Sequence, residues 1–163
     1  MKKTLIPLVL ILSFCLGCVS LRGQSPSSWV PPDLNFRRAM YIAVDAGKYL
    51  SSSLPPAKTT LVLIVPSGRD PLTPHLEEVL RDKGFGVVRV SPGKKKVVEK
   101  GTPLQYRVTQ YDGGLLLRLR YGDAEASRSY RFDPDGWPSP SAPFTVRAER
   151  IRAERRGESG STN

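Results

Sequence analysis

Apolar and polar residues alternate through three successive runs between Leu104 and Phe132, and this period of two constrains the fold more than any other feature of the chain. Asp112-Gly113-Gly114 and Gly122-Asp123 separate the runs and are typical of tight hairpin turns. Successive side chains of a strand point to opposite sides, so each run has one apolar side, on which Arg128 is an exception. The pattern predicts an antiparallel meander of three strands whose apolar side is covered by other parts of the chain.

Two helices are predicted upstream of the meander. Asp33 is the expected N-cap of the first helix, and Ser51 to Pro56 ends it because prolines interrupt the helical hydrogen bonds. The second helix has Asp70 as its cap and Pro71 at its first position, and it ends before Gly84. Apolar residues at helical spacing predict the buried stripe of the first helix: Phe36, Met40, Ala43, Val44, Gly47 and Leu50. The expected buried residues of the second helix are Leu72, Leu76, Val79 and Leu80.

A strand follows each predicted helix. Thr59 to Val65 is an unbroken apolar and β-branched run, and Gly86 to Val90 is a shorter one. Residues 97–103 are a loop or a short edge segment, and Phe144 to Val146 adds a further edge strand. This order of elements predicts an α+β fold, a two-layer sandwich with two helices packed on one face of a mixed sheet that ends in the antiparallel three-strand meander.

The N-terminus has the composition of a bacterial lipoprotein signal. Two lysines precede an apolar run from Leu5 to Leu16, and Gly17 stands directly before Cys18. Cleavage would make Cys18 the new N-terminus, where a thioether-linked lipid would hold the chain at a membrane. Cys15 stands where such signals usually have leucine. An uncleaved anchor would need about 20 apolar residues, and an ordinary secretory signal would need small residues that this run lacks, so both fit less well.

These signals divide the chain into four segments. Residues 1–17 are the predicted signal peptide, 18–32 a flexible tether, 33–146 the periplasmic α+β domain and 147–163 a basic tail without stable structure. Within the tether, Trp29-Val30 could dock on the domain or dip into lipid headgroups, and docking is favoured. Enteric inner-membrane lipoproteins carry aspartate after the lipidated cysteine, whereas this chain has valine, so we expect an outer-membrane location.

The composition provides few residues of the types that act in catalysis. The formal net charge is +10, and the chain stays basic after loss of the predicted signal peptide. The two cysteines are Cys15 and Cys18, so a lipidated mature chain has no thiol for a disulfide or a metal site. His75 is the only histidine, and the sequence contains no nucleophile elbow, phosphate-binding loop or zinc-protease motif. Asp133-Pro134-Asp135-Gly136 has the composition of a turn. We expect no enzymatic activity and no cofactor besides the covalent lipid.

The polar side of the meander carries the candidate partner-binding residues Arg107, Arg118, Arg120 and Arg131, with Glu125 as the one acid among them. Such a face is either ordinary solvated surface or a site for an acidic partner, anionic lipid headgroups or an anionic polymer. Direct binding of nucleic acid is not expected, because this side shows no exposed pair of aromatic residues on which bases could stack.

Several segments, spread over nearly the whole mature chain, form a recognisable set. They are the lipoprotein start, Pro55 to Ile64, Leu80 to Val87, Tyr106-Arg107-Val108, Leu117 to Arg120 and Ser127 to Tyr130. Together they resemble the TrbH family of conjugal transfer lipoproteins. The resemblance implies a component of the mating-pair-formation machinery, the type IV secretion system that passes plasmid DNA between Gram-negative cells, and it offers no catalytic residues.

The function predicted from the sequence is therefore that of a non-enzymatic outer-membrane lipoprotein whose periplasmic domain docks on other subunits of a conjugative secretion channel. The expected partners are those subunits and, through the lipid on Cys18, the membrane; both a homo-oligomer and a hetero-oligomer are compatible with this. Two alternatives stay open: a lipoprotein that binds an anionic cell-wall polymer through the arginines, and an accessory protein that activates a cell-wall hydrolase.

Overall fold

The computed structural model describes residues 28–91 and 101–148. The predicted signal peptide, residues 18–27 of the tether with Cys18, residues 92–100 and residues 149–163 lie outside the described residues. The helices are α1 (Phe36–Ser53) and α2 (Leu72–Asp82), with a short 3-10 helix at Pro56–Lys58. The strands are β1 (Thr60–Ile64), β2 (Gly86–Val90), β3 (Thr102–Tyr111), β4 (Gly114–Tyr121), β5 (Ala124–Phe132), β6 (Pro138–Pro140) and β7 (Thr145–Ala148).

These strands form one mixed sheet in the order β2-β1-β3-β4-β5-β6, and β7 shares the outer edge of β5 with β6. β1 runs parallel to both β2 and β3, and the remaining pairs are antiparallel. β3, β4 and β5 are the predicted meander, with Leu104 opposite Tyr121 and Leu117 opposite Arg128. Two of the three residues of β6 are prolines.

Both helices lie on the same side of the sheet, and the core is the layer between them and it. The buried cluster contains Leu50 of α1, Leu76 of α2 and the inward residues of β1, β3, β4 and β5. α1 lies over β5, where Asp45 contacts Tyr130, and α2 lies over β3, where Thr73 contacts Tyr106. This arrangement confirms the α+β two-layer sandwich predicted from the order of elements.

α1 buries a different side from the predicted one. Its buried residues are Ala39, Ile42, Ala43, Ala46, Gly47 and Leu50. Phe36, Met40 and Val44 are instead exposed, at 62%, 40% and 51%, so the predicted stripe was wrong for these three residues. The reason is that α1 lies close to its neighbours: a Cβ at Gly47 would overlap the side chain of Val79 in α2. Only small side chains fit where the helices approach so closely.

The N-cap of α1 is Asn35, and the prediction of Asp33 was wrong. The Asn35 side chain accepts a hydrogen bond from the backbone N–H of Arg38 at 2.9 Å, which satisfies one of the free donors at the start of the helix. Leu34 between the two candidates is buried. The Asp33 carboxylate accepts a hydrogen bond from the Gln110 side chain at 3.2 Å instead.

α2 follows its sequence signals closely. The Asp70 carboxylate accepts hydrogen bonds from the backbone N–H groups of Leu72 and Thr73, at 3.0 and 2.7 Å, and Pro71 immediately precedes the helix. Gly84 follows the helix with φ +89°, a left-handed conformation that favours glycine. Leu72, Leu76 and Leu80 are buried as predicted, and Val79 is half-buried against α1.

The segment before α1 packs on the sheet. The Trp29 N–H donates to the Tyr106 carbonyl at 3.0 Å, and the Val108 N–H donates to the Trp29 carbonyl at 2.9 Å. Trp29 therefore lies parallel to β3, beyond the part of that edge which pairs with β1. Val30 is buried in the core. Trp29-Val30 thus docks on the domain, as the sequence favoured.

Candidate interaction surfaces

The side of the sheet opposite the helices, here called the outer face, carries the four predicted arginines. Arg107 of β3 stands directly opposite Arg118 of β4. Arg120 stands between Gln105 on one side and Glu125 on the other. Arg131 lies near the far end of β5, where its guanidinium is 3.9 Å from the Asp112 carboxylate and both side chains are largely exposed. The sheet register therefore brings Arg107, Arg118 and Arg120 together and leaves Arg131 at some distance along the strands.

Two further residues join the outer face that the sequence did not indicate. Trp29 is the bridge partner of Arg107, and Arg147 of β7 is the partner of Glu125. Paired residues of neighbouring strands direct their side chains to the same side of a sheet, so both extend the arginine rows. The Trp29 side chain is 43% exposed. The position of Trp29 on the outer face depends on its pairing with β3, which is distant in the sequence. No local sequence pattern shows such a pairing.

The Arg107–Arg118 pair places two like charges side by side on the outer face. Side chains directly opposite each other on antiparallel strands have Cβ atoms about 5 Å apart, and like charges in this position destabilise the sheet. Both arginines are exposed, and among the residues that the structure describes neither forms an ion pair. Within residues 28–91 and 101–148, the pair is thus a concentrated positive charge that no carboxylate contacts as an ion pair.

Arg128, on the helix-facing side of β5, is in the opposite situation. Its Nη1 lies 2.7 and 2.8 Å from the two carboxylate oxygens of Asp45, and its Nε donates to the Ala142 carbonyl at 2.8 Å. Its guanidinium also lies 4.6 Å from the centre of the Phe144 ring. The Tyr130 hydroxyl donates to the same carboxylate at 2.6 Å. Arg128 is therefore fully engaged within the domain, which explains the exception in the alternation of β5.

Tyrosine hydroxyls are further buried polar groups, beside Ser28, Thr73 and Glu77, and none of these tyrosine hydroxyls is tuned for chemistry near neutral pH. Burial raises the pKa of Tyr130 and of Tyr106 far above the usual value, and the hydrogen bond to Asp45 raises that of Tyr130 further. Burial, with the hydrogen bond to Tyr49, raises the pKa of Tyr121 to about 12. These hydroxyls stay protonated at neutral pH, so they act as hydrogen-bonding groups of the core.

The remaining residues that the sequence offered for catalysis take part in packing or in a turn. His75 presents its ring to Phe36, edge to face, with the centroids 4.5 Å apart. Asp133 accepts a hydrogen bond from the backbone N–H of Trp137, and Gly136 has φ +79°, so this stretch is the turn that its composition predicts. Within residues 28–91 and 101–148, no group of three or more histidine, cysteine or acidic side chains is placed to hold a metal ion.

A cleft of about 480 Å³ opens beside the β3–β4 hairpin. Its lining includes Asp33, Asp112 and Arg38, so charges of both signs meet there. The Arg38 guanidinium is already held, 3.7 Å from the centre of the Phe132 ring and 3.3 Å from the Gly136 carbonyl. The cleft singles out no class of ligand.

Two comparisons, with curated proteins and with solved structures, give no match. In the described part of the chain, no helix has the length and apolar content to cross a bilayer. A family model described as conjugal transfer protein TrbH matches residues 22–149, a range that includes both helices and all the strands given above. The chain therefore belongs to the TrbH family, and its role lies in conjugal transfer by type IV secretion, as the resemblance of its segments indicated.

Proposed function

We propose that this protein is a non-enzymatic lipoprotein of a conjugative type IV secretion apparatus, and that its domain docks on an acidic surface of another channel subunit through the outer face. In this proposal a lipid on Cys18 holds it in the outer membrane with the domain in the periplasm. The family supports the setting. The observation that carries the docking is the Arg107–Arg118 pair, two exposed like charges placed side by side.

An acidic partner would offset the unfavourable energy of placing Arg107 beside Arg118. Carboxylates placed over Arg107 and Arg118 would relieve the repulsion between the two guanidinium groups and steer the encounter from a distance. Trp29 stands at the end of the same cross-strand row, half-exposed beside Arg107. Tryptophan and arginine are the residue types that contribute most to protein interfaces, because they combine a large contact area with specific hydrogen bonds.

A short tether makes even a weak interface effective. The residues between Cys18 and Ser28 span at most about 35 Å when fully extended. A lipid on Cys18 would confine the domain to this layer and would raise its effective concentration for partners in the same membrane. The proposal therefore needs no large binding surface.

The docking is tested by reversing the charge of the pair. The full-length protein with Arg107→Glu and Arg118→Glu is recovered from detergent-solubilised envelopes, and the co-purifying secretion subunits are quantified against wild type. We expect at least a tenfold loss. The matched control is Lys58→Glu with Lys83→Glu, which changes the net charge equally at two exposed positions away from the outer face; its recovery of partners should equal that of wild type.

A solvated surface and a cell-wall polymer as the ligand predict different outcomes. If both double variants recover the same amount of secretion subunits, the outer face is ordinary solvated surface. Binding that persists in cells without other transfer proteins, and that disappears after muramidase digestion, would assign the arginines to a cell-wall polymer. The anchor is tested separately by labelling with a palmitate analogue, with Cys18→Ser as the control; an unlabelled wild type would exclude lipidation while leaving the docking result standing.

A further inference from the structure

We propose that the exposed surface of the two helices binds a second copy of this chain, so that the protein forms a two-fold symmetric dimer. The inference rests on the three large side chains of α1 that the domain leaves outside, Phe36, Met40 and Val44, here called the apolar stripe. It also rests on the charged residues on either side of that stripe. It is independent of the docking proposed for the outer face, because it uses the opposite surface of the sandwich.

The apolar stripe is a continuous feature of the surface. Its residues are spaced by four, so they lie along one line of α1. They are 62%, 40% and 51% exposed, which is unusual for a row of large apolar side chains on an isolated domain. Phe36 contacts the His75 ring edge to face, with the centroids 4.5 Å apart, so the stripe borders α2 and does not stand alone.

Positive charge lies on the α1 flank of the stripe. Arg37 and Lys48 are both exposed. The Arg37 guanidinium is 5.6 Å from the centre of the Trp137 ring, and Lys48 lines a cleft with Asp45 and Phe144. These contacts place both cations on the side of α1 that is turned away from α2.

Negative charge lies on the α2 flank. Glu78 and Asp82 are exposed and follow His75 and Val79 by three residues each, so they lie beside the two residues of α2 that meet α1. Arg81 follows Glu78 by three residues, but its guanidinium contacts the Glu77 carboxylate at 2.5 Å, which also pairs with Arg89 of β2. The helix surface is thus apolar in the middle, basic on one flank and acidic on the other.

This charge pattern is complementary to itself in one orientation. A two-fold axis along the stripe, between two facing copies, lays stripe on stripe and sets each basic flank against the acidic flank of the other copy. An axis across the stripe would set like charges against each other. The outer face, where arginines predominate, offers no such self-pairing. The pattern therefore selects a second copy as the occupant, with the two α1 helices parallel.

The same orientation suits two chains in one membrane. Parallel α1 helices put both N-termini at the same end of the dimer, so both tethers leave in the same direction. This supporting point rests on the lipid anchor proposed above, whereas the charge argument does not.

The dimer is tested by cross-linking at the middle of the stripe. Met40→Cys is introduced into the full-length protein, and the envelope fraction is treated with a short bis-maleimide. We expect most of this variant to run at twice the monomer mass. The matched control is Val146→Cys, at an exposed position of β7 on the edge of the sheet, which should remain monomeric. Wild type carried through the same treatment shows whether Cys18 reacts, so a failed lipid anchor is recognised separately.

Charge reversal then tests the orientation. Glu78→Lys with Asp82→Lys opposes like charges, and the dimer yield of Met40→Cys should fall at least fivefold with an unchanged circular dichroism spectrum. Adding Arg37→Glu and Lys48→Glu should restore the yield. Equal, low cross-linking of Met40→Cys and Val146→Cys would overturn the proposal, and so would a Met40→Cys product whose mass identifies a different protein as the partner.

Discussion

The two exposed surfaces of the sandwich differ in kind. On β3, β4 and β5 the outer face carries arginines in neighbouring positions, whereas the helix surface carries an apolar stripe between flanks of opposite charge. A surface of one charge repels its own copy and attracts an acidic partner, while a surface with balanced flanks can pair with itself. The comparison teaches that the arrangement of charges, more than their number, decides which kind of partner each surface accepts.

The largest predicted effect is a difference in stability between a substitution in the core and one in the apolar stripe. Leu50→Ala in α1 should lower the free energy of unfolding by about 2–5 kcal/mol, because it leaves a cavity under a fully buried side chain. Val44→Ala on the same helix should lower it by less than about 0.5 kcal/mol in the monomer, because the side chain is already in solvent. Urea unfolding of dilute protein measures both. If both variants lose a similar free energy of unfolding, the apolar stripe is part of the core, and the difference between the two surfaces disappears.

A smaller effect contrasts the arginines on the two sides of β5. Asp45→Ala leaves Arg128 without its counter-charge and removes the acceptor of the Tyr130 hydroxyl. Breaking a buried pair costs about 3–5 kcal/mol, and since both side chains are 16–19% exposed we expect about 2–3 kcal/mol. Arg131→Ala removes the exposed pair with Asp112 and should cost less than about 0.5 kcal/mol. Thermal unfolding of the two variants gives the ranking, and a reversed order would contradict it.

The smallest predicted effect separates stability from binding on the outer face. Arg118→Glu turns the cross-strand pair with Arg107 into one of opposite charge, which should raise the free energy of unfolding by about 0.2–1 kcal/mol. The gain should shrink in 1 M salt, where charges are screened over about 3 Å. The same variant should recover fewer secretion subunits. A variant that loses both stability and binding would show that Arg118 supports the fold and would weaken the proposed docking.

The sequence predicted the parts of the fold that have local causes. The alternation from Leu104 onward gave the meander, and Asp70 and Gly84 gave both ends of α2, because hairpin turns and helix caps depend on neighbouring residues. The buried side of α1 was wrong because spacing alone favours large apolar residues. Where α1 meets α2, the close approach of Gly47 to Val79 excludes a larger side chain, and the large buried residues Ile42 and Leu50 lie at other positions of the helix.

The contacts around the candidate surfaces depend on residues that are distant in the sequence. The alternation marked Arg128 as an exception, but its partner Asp45 lies on another element, and no local pattern joins them. The four arginines were placed on one side correctly, since alternation fixes the side. Their order in rows, with Trp29 beside Arg107 and Arg107 beside Arg118, follows from the strand register and required the structure.

The prolines of β6 limit the pairing of this sheet edge with another chain. Pro138 and Pro140 have no backbone N–H, so the strand that closes this end of the sheet has few donors to offer an incoming chain. An unprotected strand edge is a site at which copies of a chain can pair and polymerise. Along β6, this edge therefore resists the addition of further strands, whereas β7 beside it contains no proline.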